Sequence, residues 1–225
     1  MALLVAALMV IPTSAQSAVW VGSELGENFI TPTLMLVQGR DKGNTQFSNS
    51  VIGGLTVGYD FINSGFGAYS WPNWMKYFSF AADFTYNKLV LNDSTDRSVG
   101  LNFLIPPSSR ITGHEAALKF LFMGHYGFLP DAEVPAGRLH PYIGVGPGIV
   151  FSSLDATCLG LGTSSSTALA LVVEPGIRFM ALKNVSVDAA FRYRFAKPSY
   201  DFDNVSIKAE ALHQMSFLLR ASYHV

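Results

Sequence analysis

Cysteine is nearly absent: Cys158 is the single thiol in 225 residues. That excludes an internal disulfide and a Cys-rich metal site, and the neighbouring Gly160 and Gly162 mark it as an incidental loop thiol. Charge is scarce as well. Asp, Glu, Lys and Arg make up 14% of the chain, against about a quarter in ordinary soluble domains. The formal net charge is −1, so nothing in the balance calls for a nucleic-acid partner. Long apolar runs are missing too: beyond the N-terminus no window offers the ~18 uninterrupted apolar residues of a membrane-spanning helix. The five histidines show no ligand spacing, so neither a metal site nor a cofactor is expected.

What is present is grease arranged in period two. Hydrophobic residues reach 49%, and eight candidate strands alternate apolar with polar or small residues, at about 29–39, 50–61, 77–91, 114–128, 139–152, 168–181, 185–196 and 212–225. Most match or exceed the ~9–11 residues that cross a bilayer at a tilt. Ala2 to Ile11 is an apolar run followed by Pro12, Thr13, Ser14 and Ala15. It reads as a secretory signal peptide over 1–18, with cleavage between Ala15 and Ala18 and no Lys or Arg before Arg40. Residues 19–225 then form one domain. Connections alternate in length. Leu182-Lys183-Asn184 is a tight turn and Pro130 to Arg138 a longer one, while Asn92 to Gly113 and Lys197 to Ala211 are polar loops at the other end. Ile62 to Lys76, with Trp71 and Trp74, is a long aromatic segment at the short-turn end.

The polar rows carry matched charge. Asp60, Asp83, Glu115, Glu174 and Asp188 are the acids; Lys119, Arg178, Arg192, Arg194 and Arg220 are the bases. Five against five suits a closed, ion-paired interior, since breaking a buried pair costs roughly 3–5 kcal/mol. The apolar rows concentrate aromatics near strand ends. Tyr59, Phe61, Phe78, Tyr126, Phe128, Phe179 and Tyr223 stand at one end; Tyr86, Phe151, Tyr193, Phe195 and Phe217 stand near the other. Volume points the same way, because an eight-stranded barrel is just wide enough to be filled by side chains. Seventeen Phe and nine Tyr cannot all point inward. Gly144, Gly146 and Gly148 on the inner row are expected to leave room for long arginines. Val173 and Val187 are expected to face lipid at mid-bilayer.

The segments His140-Pro-Tyr-Ile-Gly-Val-Gly-Pro-Gly148, Val57-Gly-Tyr-Asp-Phe61, Glu174-Pro-Gly-Ile-Arg178 and Leu218-Leu-Arg-Ala-Ser-Tyr223 stand in order along the chain. The last belongs to a terminal strand in which Phe217, Leu219, Ala221, Tyr223 and Val225 alternate with Leu218, Arg220, Ser222 and His224. Together these features resemble the small eight-stranded outer-membrane barrels, the OmpA/OmpX-like group. That family usually ends in Phe, whereas this chain ends in Val225. The resemblance implies an all-β, eight-stranded antiparallel transmembrane up-and-down barrel in the cell outer membrane, with both termini periplasmic. It also implies outer-membrane lipid and lipopolysaccharide as surroundings, and recognition of the C-terminal strand by the barrel-insertion machinery. A monomer is expected.

Chemistry-bearing motifs are sparse. Gly144-Val-Gly-Pro-Gly148 lacks the strand–turn–helix setting of a dinucleotide loop. Gly160 to Ser166 lacks the Lys of a phosphate loop. His213 and Ser216 lie three apart in a strand and so face opposite ways. Ser222 and His224 share the inner row at the rim, and His114 adjoins Glu115. None of these forms a clear nucleophile–base pair. Arg40, Lys42, Lys88, Arg97, Arg110, Lys197 and Lys208 cluster toward the outer end, where lipopolysaccharide phosphates would favour cations. The expected function is non-enzymatic: an envelope barrel with a structural or surface-interaction role and an ion-paired closed lumen. A narrow pore for small solutes and a lipid A-modifying enzyme stand as alternatives.

Overall fold

The structure is a computed structural model and describes residues 19–31, 33–37, 41–61, 71–92, 111–157, 162–202, 205–209 and 211–225. The signal segment, Cys158, Arg40, Arg97 and Arg110 lie outside the described residues, as does most of the 92–113 loop. Twelve strands run in chain order: β1 (Val19–Ile30), β2 (Thr33–Val37), β3 (Asp41–Phe47), β4 (Ser50–Asp60), β5 (Phe78–Asn92), β6 (Thr112–His125), β7 (Leu139–Asp155), β8 (Thr163–Leu182), β9 (Val185–Ala196), β10 (Ser199–Phe202), β11 (Val205–Ala209) and β12 (Leu212–His224).

Eight of them close a barrel in the order β4-β1-β12-β9-β8-β7-β6-β5, and β5 pairs back to β4. Every ladder is antiparallel. Closure satisfies the backbone groups of each strand, which is the condition a sheet must meet where no water is available. The first and last strands meet in register, Trp20 with His224 through Ile30 with Gln214. Val225 donates its backbone N–H to Val19 at 3.0 Å, so the first barrel strand begins and the last one finishes at the same end, the one expected to be periplasmic.

The first barrel strand differs from the expectation. The sequence alternation points to 29–39, but the strand is Val19–Ile30 and residues 33–37 form the short β2 beyond the barrel wall. Glu27 sits on the outward row of β1 and bonds Asn49. One charge among Val21, Leu25 and Phe29 blurs the period-two signal, while the 33–37 stretch is more uniformly apolar. The hairpin β2–β3 joins the hairpin β10–β11 through β11–β2 pairing, and β3 joins β5. The outer end therefore carries a small second sheet assembled from two loops distant in sequence.

Parity sorts the two faces of the wall. Leu25, Leu55, Leu169, Leu171, Phe217 and Leu219 are exposed on the outside. Their strand neighbours Glu24, Thr56, Ala168, Ala170, Val172, Ser216, Leu218 and Arg220 are buried inside. Val187 pairs with Phe179 and Ala221 and stands three residues beyond Asn184 of the Lys183-Asn184 turn. It therefore lies near the periplasmic aromatic belt rather than at mid-bilayer. Leu219, paired with Leu25 and Ala189, occupies the middle of the wall.

At the periplasmic end the aromatic segment continues as a short 3-10 turn, Asn73–Tyr77, with Trp74 and Tyr77 exposed. Phe61 packs edge-on against Tyr59 and Trp71. Two glycines there carry specific duties. Gly137 has φ +106°, a conformation that side chains rarely adopt, in the turn between β6 and β7. Gly58 has no room for a methyl group, because a Cβ would sit 2.0 Å from Cε2 of Trp20.

Candidate functional site

Among the described residues the interior is where the fold gathers most ionisable side chains, and it is built by the inward parity of the eight barrel strands. Arg192 projects from β9 and Arg220 from β12 into the centre. Arg192 holds Glu24 through two nitrogens at 2.8 and 3.0 Å, Glu174 at 2.6 Å and Asp83 at 2.9 Å. Arg220 donates to Glu24 at 2.8 Å and to Glu174 at 2.9 Å, and lies 3.5 Å from Asp188. Lys119 bonds Asp83 at 2.6 Å and Thr85 at 2.6 Å. Thr56 and Tyr142 add hydroxyl donors to Asp83 and Glu174. Arg192 and Arg220 are each 2% exposed, and Asp83 and Glu174 are fully enclosed. Multiple charge-assisted bonds per ion are what such burial requires.

Two further groups flank this centre. Toward the outer end Arg194 pairs with Glu115, which also accepts a bond from Gln214 at 3.3 Å. Toward the periplasmic end Arg178 lies 3.3 Å from Asp188 and 3.8 Å from Asp60, with its guanidinium 4.5 Å from the Trp20 ring centre. Trp20 donates its indole N–H to Asp60 at 3.1 Å. Asp60 is only partly enclosed, its side chain 18% exposed at the rim. The ten sequence-selected charges thus stand in one lumen in three tiers, the central and periplasmic ones joined through Asp188.

The residue missed is Glu24. It touches both central arginines, and its omission followed from the misplaced first strand. The available signal was the row Trp20, Gly22, Glu24, Gly26 and Asn28, whose small residues and single acid match the inner rows of the other strands. With Glu24 the described barrel interior holds six carboxylates against five Lys and Arg. The inner glycines also differ from expectation. A Cβ on Gly148 would meet Lys119 and Val172, one on Gly144 would meet Met123 and Leu121, and one on Gly146 would strike the Phe120 carbonyl. The space they free is taken by these neighbours, not by arginines.

Above the ions the mouth is apolar. Ile30, Phe47, Leu89, Ile111, Leu154 and Leu212 form a buried cluster with Tyr200 and Phe202 of β10. Tyr200 reaches Ser152 of β7 at 2.7 Å, and the backbone of Ser199 donates to Ser166 of β8. The β10–β11 hairpin is thereby tied over the outer opening.

The candidate Ser and His residues separate. Ser216 faces inward and donates to Asn28, whereas His213 faces outward and meets the Tyr193 hydroxyl. His114 likewise faces outward and meets the Tyr86 hydroxyl. His224 lies 3.1 Å from Ser186, not from Ser222, on the inner face at the rim. Among the described residues no cluster of three or more His, Cys, Asp or Glu has a metal-binding arrangement.

No protein-family model matches the chain, and no curated protein does. Solved structures do. The chain is similar to Neisserial surface protein A (NspA), with a TM-score of 0.55 and 17% identity over 94% of this chain and 100% of that one. It is also similar to the outer membrane protein OprG from Pseudomonas aeruginosa, with a TM-score of 0.54 and 13% identity over 94% of this chain and 99% of that one. At these identities the likeness is one of fold. Joined to an apolar exterior and a charge-filled interior, it gives the chain the architecture of the small eight-stranded outer-membrane β-barrels.

Proposed function

We propose that this outer-membrane barrel is a closed, non-catalytic envelope protein that acts through the surface it presents outside. The observation that carries this reading is the filled lumen: Arg192 and Arg220 cross-link carboxylates from β1, β5, β8 and β9, and an apolar lid lies above them. A water-filled path would have to break several buried pairs at once. The joined hairpins β2–β3 and β10–β11 give the outer end a folded surface on which a structural or interactive role can rest. In this reading residues 1–18 direct export, β12 carries the signal for the insertion machinery, and the barrel works as a monomer.

Planar-bilayer recording of the purified protein tests the closed lumen. The expected record lacks steady unitary currents; reproducible steps would favour the narrow pore instead. Mass spectrometry of lipid A from cells with and without the protein tests the absence of catalysis, and an altered acyl pattern would overturn it.

A further inference from the structure

Two side-chain clusters on the outside of the barrel share a tyrosine–histidine pair set diagonally across a strand seam. On the β5–β6 seam, the Tyr86 hydroxyl lies 2.5 Å from Nδ1 of His114, the rings stack, and Lys88 is the register partner of His114. On the β9–β12 seam, the Tyr193 hydroxyl lies 2.6 Å from Nδ1 of His213. There Phe195 is the register partner, and Lys197 stands two residues beyond it with its ammonium 5.8 Å from the Phe195 ring centre. Each tyrosine is eight residues from the start of its strand, Phe78 or Val185, so the clusters sit at matching heights. In the barrel order four strands separate the two seams in either direction, which places them on opposite sides.

The height is that of the outer aromatic belt, where the apolar wall gives way to polar side chains. In the tautomer in which the tyrosine hydroxyl donates to Nδ1, the imidazole N–H stands on Nε2 and is available as a donor. Each lysine is exposed; Lys88 stands across the seam from His114, and Lys197 lies two residues beyond the partner of His213. The nearby outward acids have other partners: Asp155 bonds Thr157, and Glu27 accepts from Asn49. An imidazole N–H, an ammonium and a flat aromatic face at the edge of lipid suit an anionic headgroup.

We propose that these two clusters are binding sites for the phosphate groups of outer-leaflet lipid, one on each side of the barrel. The inference rests on the bilayer residence of the fold and adds to it a defined ligand chemistry. Lysine supplies charge, histidine a directed hydrogen bond, and tyrosine fixes the imidazole. All six side chains lie outside the lumen, so their replacement leaves the ion network in place.

Native mass spectrometry of the full-length protein tests this, with bisphosphorylated lipid A, dephosphorylated lipid A of the same acylation, and inorganic phosphate as separate probes. The variants are K88Q/H114F, K197Q/H213F and the four combined, each verified as folded by heat-modifiable gel migration. Wild type is expected to retain two bisphosphorylated lipids, each double variant one, and the combined variant none above the dephosphorylated background. The loss per site should be about tenfold or more in apparent affinity. Equal retention of the two lipids, or unchanged retention by the combined variant, would overturn the sites. Binding of inorganic phosphate as tight as that of lipid A would overturn the lipid as ligand. A wild type that holds neither lipid and stays in solution without detergent would overturn the bilayer residence itself.

Discussion

Arg192 of β9 and Glu24 of β1 clasp each other across the barrel through two parallel bonds, at 2.8 and 3.0 Å, though 168 residues apart in sequence. Paired nitrogens and oxygens in this geometry combine charge with direction. The same guanidinium holds Asp83 and Glu174, so one side chain from β9 ties it to β1, β5 and β8.

Arg192→Met should therefore destabilise strongly, because three carboxylates lose their shared cation. A loss of about 3–5 kcal/mol is expected, read from urea unfolding of the barrel in lipid vesicles. Combining it with Glu24→Gln should cost less than the sum of the two single changes, since both act on one interaction. Additive losses would show that the pair is not coupled.

Position along the wall should grade the cost of a charge facing lipid. Leu219, 65% exposed at the middle of β12, should lose about 2–4 kcal/mol as Leu219→Arg. Val187, 46% exposed near the periplasmic turn, should lose only about 0–1 kcal/mol as Val187→Arg. Unfolding from vesicles measures both, and equal costs would contradict the assigned depths.

Gly58→Ala should push Trp20 out of its seat against Arg178 and Asp60. Overpacking of this kind costs about 1–3 kcal/mol. Trp20→Leu in the same chain should recover part of the loss, because the clashing ring is gone. Failure of that rescue would place the strain elsewhere.

The β6–β7 turn should respond to acid. The Arg138 side chain, and then the backbone N–H of Val134, hold the exposed Asp131 carboxyl below its usual range. Glu133 also pairs with Arg138 at 2.7 Å. A carboxyl whose pKa is lower in the ordered turn stabilises that turn above the ordinary carboxylate pKa. The contribution fades as pH falls through the lowered value. The protection of the Glu133 and Val134 amides, taken as exchange relative to the intrinsic rate at each pH, should thus be high at neutral pH and fall in strong acid, and Asp131→Asn should remove the dependence.

Most of the barrel can be read in period two, because each wall strand separates lipid from an ion-filled interior and any error of parity would expose a charge to lipid. Seven strands and ten inner charges follow from that rule alone. The first strand escaped it because Glu27, outward near the interface, breaks the apolar row beside the inward Glu24. The outer sheet was illegible for another reason: β2 pairs with β11, and β3 with β5, through contacts that no local pattern specifies. The inner glycines show a third limit. Composition reveals the space they leave, but only packing decides that Lys119 and Met123 take it.

Spin labels placed singly at Leu25, Leu55 and Leu219 in lipid-reconstituted protein report most directly which row meets the bilayer. Relaxation should be enhanced by oxygen and untouched by a water-soluble nickel chelate at all three sites, while a label at Thr157 should show the reverse. Nickel access at Leu219 and Leu55 together would mean that the greasy row faces water, and the inside-out arrangement of this barrel would be wrong.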